Sequence, residues 1–288
     1  MKTILTGLSF SILWASASIA GKFGLLSVEP LVLFNTRFLV AGLILLSVSF
    51  FIRKERSPRG KEWNQLVVFG LFNTTLYLGI FIIALQYITA GITALAIALN
   101  PVLISIMSSL LMKRETKVNE WISIAMGMGG VAVAAYPLLT SEQISLTGLA
   151  LLILSMFAYS YGAVYYSSVK WELARMTING WQVFIGGLLL IPFTVFYFEG
   201  KNNFDTTFWA SLFWLVVPVS VLSIQLWLRL LKTDAVKASL WLFLCPVFGI
   251  GFSTWLLHEP FNLYTLAGGL MVMGALYIGQ RKIIRHEN

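Results

Sequence analysis

Stretches of about 20 mostly apolar residues, the length a helix needs to cross a hydrocarbon layer, recur along the whole chain. They run over Thr3–Gly21, Leu31–Ile52, Trp63–Leu85, Ile92–Met112, Val118–Tyr136, Leu146–Tyr166, Asn179–Phe198, Thr206–Leu228, Lys237–Leu257 and Leu263–Gln280. The linkers between them are short. The longest charged one is RKERSPRGKE, Arg53–Glu62, and none leaves room for a water-soluble domain. Only 11% of the 288 residues are charged and 58% are hydrophobic, with a mean hydropathy of +0.83. Water-soluble domains carry roughly 25% charged residues, so this chain needs a different solvent. The expected fold class is an all-α integral membrane protein of ten transmembrane helices, placed in the inner membrane with the lipid bilayer as its surroundings.

The charge pattern predicts an orientation. Of the 20 lysines and arginines, all but Lys22, Lys201 and Arg37 fall in segments that share one side once the N-terminus is put inside. The positive-inside rule then places both termini in the cytoplasm. The net charge of +8 is spread over these short linkers, which suits anionic lipid headgroups; no nucleic-acid partner is expected. A single cysteine, Cys245, leaves no internal disulfide and no multi-cysteine metal cluster, and beside Pro246 it reads as packing.

An internal repeat organises the chain further. Ile88–Glu115 resembles Thr233–Glu259: Pro101 matches Pro246, and Glu115 matches Glu259 with a one-residue slip. Each half carries five spans, residues 1–140 and 141–288, and an odd number forces the second half to insert in the opposite sense. The basic residues agree, because Arg229, Lys232 and Lys237 precede Pro246 while none occupies the turn before Pro101. Inverted repeats of this kind mark transporters. The first segment looks superficially like a signal peptide, with small residues at Ala15-Ser16-Ala17 and Ser18-Ile19-Ala20. Its counterpart at Gly148–Tyr166 argues that it stays and works as a helix, its small residues forming a close-packing face.

In this order and duplication the chain resembles the drug/metabolite transporter superfamily, in its EamA-type branch. The residues that carry the likeness are Trp14-Ala15-Ser16, Pro30 with Arg37-Phe38, Ala94–Pro101 with Glu115, and Pro246 with Glu259. The glycine clusters Gly127–Gly130 and Gly268-Gly269 with Gly274 belong to it as well, and Ala15 stands where the family often has glycine. The resemblance covers essentially the whole chain. It implies ten helices around a central cavity, the fifth and tenth at the periphery, and small metabolites as substrates, often exported.

The acids say what drives the transport. All twelve, Glu115 and Glu259 included, lie in linkers, at helix ends or in the tail. Proton-driven carriers usually hold a carboxylate or histidine within the membrane. Facilitated movement is therefore favoured over the alternative, a proton-coupled drug or metabolite antiporter, in which Glu115 and Glu259 would serve as gate or relay. Arg37 lies about 9 Å into its span. It either meets a substrate carboxylate or ties neighbouring helices together; its repeat counterpart Gln182 suits the tie.

Candidate cavity residues follow from polar and aromatic side chains on shared helix faces. They are Ser11, Trp14 and Ser18 on the first span, Asn73 and Tyr77 on the third, and Asn100 on the fourth. Tyr159 on the sixth span, Gln225 on the eighth and Trp241 on the ninth complete the set with Arg37. On the eighth span the polar stripe runs through Pro218, Leu222, Gln225 and Arg229. Pro101 and Pro246 each remove a backbone donor and are candidate hinges. Such a lining suits neutral or zwitterionic metabolites such as amino acids, whose ammonium could rest on Trp14, Tyr77 or Trp241. Trp63, Trp121 and Trp209 read as anchors at the membrane surface. The glycine faces Ala125/Gly129 and Ala275/Gly279 serve packing within the chain or a homodimer contact, so the expected state is a monomer or a homodimer. An enzyme is not expected, because no acid, base or metal cluster sits at depth; no cofactor or metal is implied. A channel lacks a filter motif, and a membrane interaction subunit without transport is the remote alternative.

Overall fold

The computed structural model describes residues 2–87, 90–139, 145–257 and 263–286. Ten helices in it are long and apolar enough to cross a membrane. In chain order they are α1 (Thr3–Gly24), α2 (Pro30–Ile52), α3 (Lys61–Ala84), α4 (Leu95–Met112) and α5 (Val118–Tyr136). The second half supplies α6 (Leu146–Ser168), α7 (Arg175–Phe196), α8 (Thr206–Thr233), α9 (Ala235–Leu256) and α10 (Leu263–Gln280). The chain is a multi-pass membrane protein.

The sequence-based ends differ from the observed ones mostly by a turn or less, and aspartate caps set two of the starts. Asp205 accepts from the Phe208 amide and starts α8 at the expected residue. Asp234 accepts from the Lys237 amide, so α9 begins at Ala235, before the expected Lys237. An aspartate at such a position satisfies one of the amides that a helix start leaves unpaired.

Four of the helices contain irregular turns. Turns of π type occupy Leu71–Leu76 in α3 and Leu215–Ser223 in α8, the third helix of the first five and the third of the second five. In α8 the wide turns include Pro218, which has no amide to donate, so the irregular ladder loses little there. A third such turn closes α2 at Val48–Ile52, and a short 3-10 segment, Leu240–Phe243, sits within α9.

Packing partners interchange between the halves. Helix α1 lies against α8 and α9, and α6 lies against α3 and α4; α2 packs on α7 and α5 on α10. Small residues permit the α5–α10 approach: a Cβ at Gly130 would stand 2.8 Å from the Gly268 carbonyl oxygen. Ser123 on α5 donates to the Ala275 carbonyl on α10 at 2.6 Å, so the Ala275/Gly279 face is used inside the chain. Ala125 remains exposed.

The links between helices pair off at the two ends of the bundle. At one end Glu29 accepts from the Lys201 amide at 2.8 Å and from the Asn202 side chain at 2.9 Å. Ser27 donates to Asp205 at 2.8 Å beside them. At the other end Arg56 reaches both Glu62 and Glu172, and Arg114 reaches both Glu120 and Asp234. Arg114 follows α4 and Asp234 precedes α9, so the last turn of one helix lies beside the first turn of the other.

Candidate functional site

Aromatic side chains from four helices form a column through the middle of the bundle. Tyr77 (α3) lies 4.6 Å from Tyr159 (α6) between ring centroids, and Tyr159 stacks on Trp227 (α8) at 6.0 Å. Trp227 in turn stacks on Phe10 (α1) at 4.9 Å, and Phe10 on Trp14 at 6.1 Å. Each ring's body satisfies the apolar packing, while tyrosine and tryptophan also bring a polar atom that needs a partner when buried. Two of those atoms, Tyr159 Oη and Trp227 Nε1, are buried and have no partner among the described residues.

A belt of hydrogen bonds crosses the bundle beside the column. Asn73 and Thr74, both in the wide turns of α3, donate to Gln182 Oε1 on α7 at 3.2 and 2.8 Å. Gln182 Nε2 donates to Asn179 Oδ1 at 3.0 Å, and Asn179 Nδ2 donates to the Ser220 carbonyl at 3.0 Å. Ser220 lies in the wide turns of α8, and its hydroxyl accepts from Arg37 Nε of α2 at 2.8 Å. Arg37 is 2% exposed, with Phe34 and Phe38 rings 5.6 and 5.5 Å from its guanidinium carbon. Among the described residues no carboxylate lies within ion-pair distance of it. A buried cation without a counter-charge is expensive in a low-dielectric surround, so this region is electropositive.

The other expected residues distribute unevenly. Ser11 is buried and its hydroxyl lies 2.9 Å from the Trp241 carbonyl, tying α1 to α9. The Trp241 ring fills the space beside Gly7, where a Cβ would meet it. Asn100 accepts from Ser160 at 3.1 Å and donates to the Met156 sulfur, joining α4 to α6. Ser18 is exposed and turns back to the Ala15 carbonyl. Gln225 donates to the Arg175 carbonyl at the first turn of α7, away from the column. Pro101 is buried and Pro246 half-buried. Glu115 lines a groove between α4 and α5, while Glu259 lies outside the described residues.

Trp227, Asn179, Ser220 and Thr74 belong to the site although the sequence pattern did not select them. The stripe drawn down α8 through Pro218 and Gln225 has the wrong phase: Leu222 on it is 51% exposed. The buried face advances every four residues through Val216, Ser220, Ile224 and Leu228, as wide turns dictate, and carries Trp227 beside it. The signal that could have found it is Pro218 itself, taken as a mark of altered pitch instead of as a cavity-facing residue.

The two ends of the bundle differ. At one, Arg114 bonds Glu120 at 2.8 Å and Asp234 at 2.7 Å, and the first turn of α9 packs on the last turns of α4. Burial alone would lower the Arg114 pKa, but the hydrogen bonds to Glu120 and Asp234 outweigh it and raise it above its ordinary value. Towards the other end α9 loosens. Pro246–Ile250 are all half-buried, and consecutive residues sample every direction around a helix, so no face there is fully packed. A Cβ at Gly249 or Gly251 would meet nothing within 4 Å.

Comparison with known proteins fits this architecture. The model of the EamA-like transporter family matches residues 1–136 and again 146–279. An uncharacterized transporter of Archaeoglobus fulgidus is 26% identical over 275 residues, covering 94% of each chain. A Salmonella typhimurium protein named "Probable amino-acid metabolite efflux pump" is 22% identical, covering 93% of this chain and 91% of its own. A crystal structure of another protein superposes with a TM-score of 0.83 at 17% identity, over 100% of this chain and 99% of that one, a likeness of fold.

Proposed function

Because the chain belongs to the EamA-like transporter family, we propose that it is a secondary transporter of small neutral or zwitterionic metabolites, amino acids among them, acting by alternating access across the inner membrane. The observation that carries this reading is the pair of unpartnered groups in the buried column, Tyr159 Oη and Trp227 Nε1. Buried polar groups are nearly always paired, and a missing ligand or water accounts for exceptions. A substrate carboxylate or hydroxyl would meet those donors. A carboxylate would also offset the Arg37 charge, while the ring faces of Tyr77 and Trp14 suit an ammonium group.

The alternating-access part rests on the unequal ends. The Arg114–Asp234 pair holds α4 and α9 together at one end, and the loose packing of α9 at the other gives solutes a way in. The interchange of packing partners between the halves, together with the double family match, supports two repeats of opposite sense with both termini cytoplasmic. The described carboxylates sit in links or in first turns, which favours facilitated movement over proton coupling.

Counterflow in proteoliposomes tests the proposal. Vesicles preloaded with an unlabelled amino acid should accumulate the labelled one transiently and saturably. Uptake equal to that of empty vesicles for every amino acid would remove the substrate assignment, and flux that never saturates would remove the carrier.

A further inference from the structure

A groove of about 430 Å³ opens between α4 and α5 on the outer surface of the bundle, apart from the column and the belt. It arises because α5 packs on the earlier turns of α4 while the two helices splay towards the linker that joins them. Ser105 and Ser109 line it from α4, Glu115 and Thr116 from the linker, and Trp121 from α5. Leu110, 75% exposed, continues its wall out towards lipid.

Two features mark the groove as built to hold something. Ser105 is completely buried and its Oγ has no partner among the described residues; the Oγ1 of Thr116 is likewise buried and unpartnered. Unsatisfied buried hydroxyls in one wall call for a ligand with hydrogen-bonding groups. The lining also carries a carboxylate, Glu115, and no basic side chain, since Arg114 is spent on Glu120 and Asp234. Lys113 and Lys117 flank Glu115 in the linker but do not line the groove, so within the groove itself the charge selects a cation.

From these observations we infer that the groove binds a phospholipid with a primary ammonium headgroup, a phosphatidylethanolamine. The order of groups along the groove matches the order along such a lipid. Glu115 and Thr116, in the linker beyond α4, accept hydrogen bonds from the ammonium, with the Trp121 ring beside them for cation–π attraction. Ser109 and Ser105, successively one turn deeper on one helix face, donate to the phosphate and ester oxygens. The acyl chains run past Ile106, a lining residue beside Ser105 that is 44% exposed, into the hydrocarbon. A soluble amine would use the first set of groups but has nothing to lay on the apolar wall. A choline headgroup has no N–H to give to Glu115 and Thr116, and a glycerol headgroup has no positive charge.

Native mass spectrometry of the full, delipidated chain with equal amounts of ethanolamine, choline and glycerol phospholipids tests the site. The ethanolamine lipid should be retained above the other two. Glu115→Gln should lower that retention about tenfold, the worth of one charge-assisted contact, and Ser105→Ala should lower it less. Glu115 is exposed, so its variant keeps the fold, which the unchanged melting of the protein would verify. Equal retention of the three lipids, or ethanolamine retention untouched by Glu115→Gln, overturns the assignment. Displacement by glycerophosphoethanolamine at matched concentration would mean a soluble amine in place of a lipid, and also overturns it. None of these readouts depends on transport.

Discussion

Arg37 Nε and Ser220 Oγ, 183 positions apart in sequence, meet at 2.8 Å where α2 crosses the wide turns of α8. A similar crossing is made by Gln182 of α7, which accepts from Thr74 in the wide turns of α3 at 2.8 Å. One crossing is made by a cation and the other by a neutral amide, and only the former leaves a charge in the bundle. The bond fixes the guanidinium in place, and under the proposed function its surplus charge would meet a solute carboxylate.

Removing the Ser220 hydroxyl should leave the Arg37 Nε donor unmet in the interior. Ser220→Ala is expected to destabilise the protein by about 1–3 kcal/mol. Thermal unfolding in detergent, read by intrinsic fluorescence, measures it, and Arg37→Gln combined with Ser220→Ala should cost less than the sum of the two. An additive result would mean that the two residues do not share the bond.

Tyr159→Phe and Trp227→Phe probe the unpartnered atoms. Deleting a buried hydroxyl that has no partner removes a desolvation cost, so Tyr159→Phe should be neutral or stabilising. The same change should raise the half-saturating concentration for counterflow, because a substrate contact is gone. Unaltered flux with unaltered stability would leave Tyr159 without a role in binding.

Asp234→Asn weakens the tie between α4 and α9. The pair is only partly buried, at 21% and 23% side-chain exposure, so its worth is up to about 1 kcal/mol and its loss shifts an opening equilibrium by up to about fivefold. A thiol placed at Ala238 in a Cys245→Ala background should react with a water-soluble maleimide correspondingly faster. An unchanged rate would show that the last turns of α4 and the first of α9 stay shut by packing alone.

Asp205 links pH to the opposite end of the bundle. The Phe208 amide and the Ser27 hydroxyl both bond its carboxylate and lower its pKa below the ordinary aspartate value. A depressed folded-state pKa gives stability that is present at neutral pH and lost as the pH falls through that pKa. The melting-temperature gap between the wild type and Asp205→Asn should therefore be largest near neutrality and close below about pH 4. A gap that persisted at low pH would assign the effect to the helix cap alone.

Much of the fold is legible in the sequence, since span length and polarity are one-dimensional quantities read residue by residue. The site is less so, and the reason is pitch. Tyr159 and Ser11 could be placed on buried faces because α6 and α1 are regular, and Asn73 and Tyr77 because they are four apart, a spacing that even the wide turns of α3 keep on one face. Gln225 could not, because the turns before it are wider than 3.6 residues and shift every later side chain around the axis. The pairing of Arg37 with Ser220 was equally out of reach, for it depends on which helices cross, and no local pattern encodes that. Ser18 fails for another reason: a small hydroxyl that bonds its own preceding turn sits as comfortably outside as in.

The wide turns of α3 and α8 hold more residues per revolution than the helices on either side of them. A one-residue deletion inside Leu71–Leu76 would let that segment relax to ordinary pitch, whereas the same loss from a regular helix such as α6 would swing half its length out of register. The middle of the membrane is then, for these two helices, the most forgiving place for length to change. It is also the place where a single lost residue would silence Asn73 and Thr74 without unmaking the span.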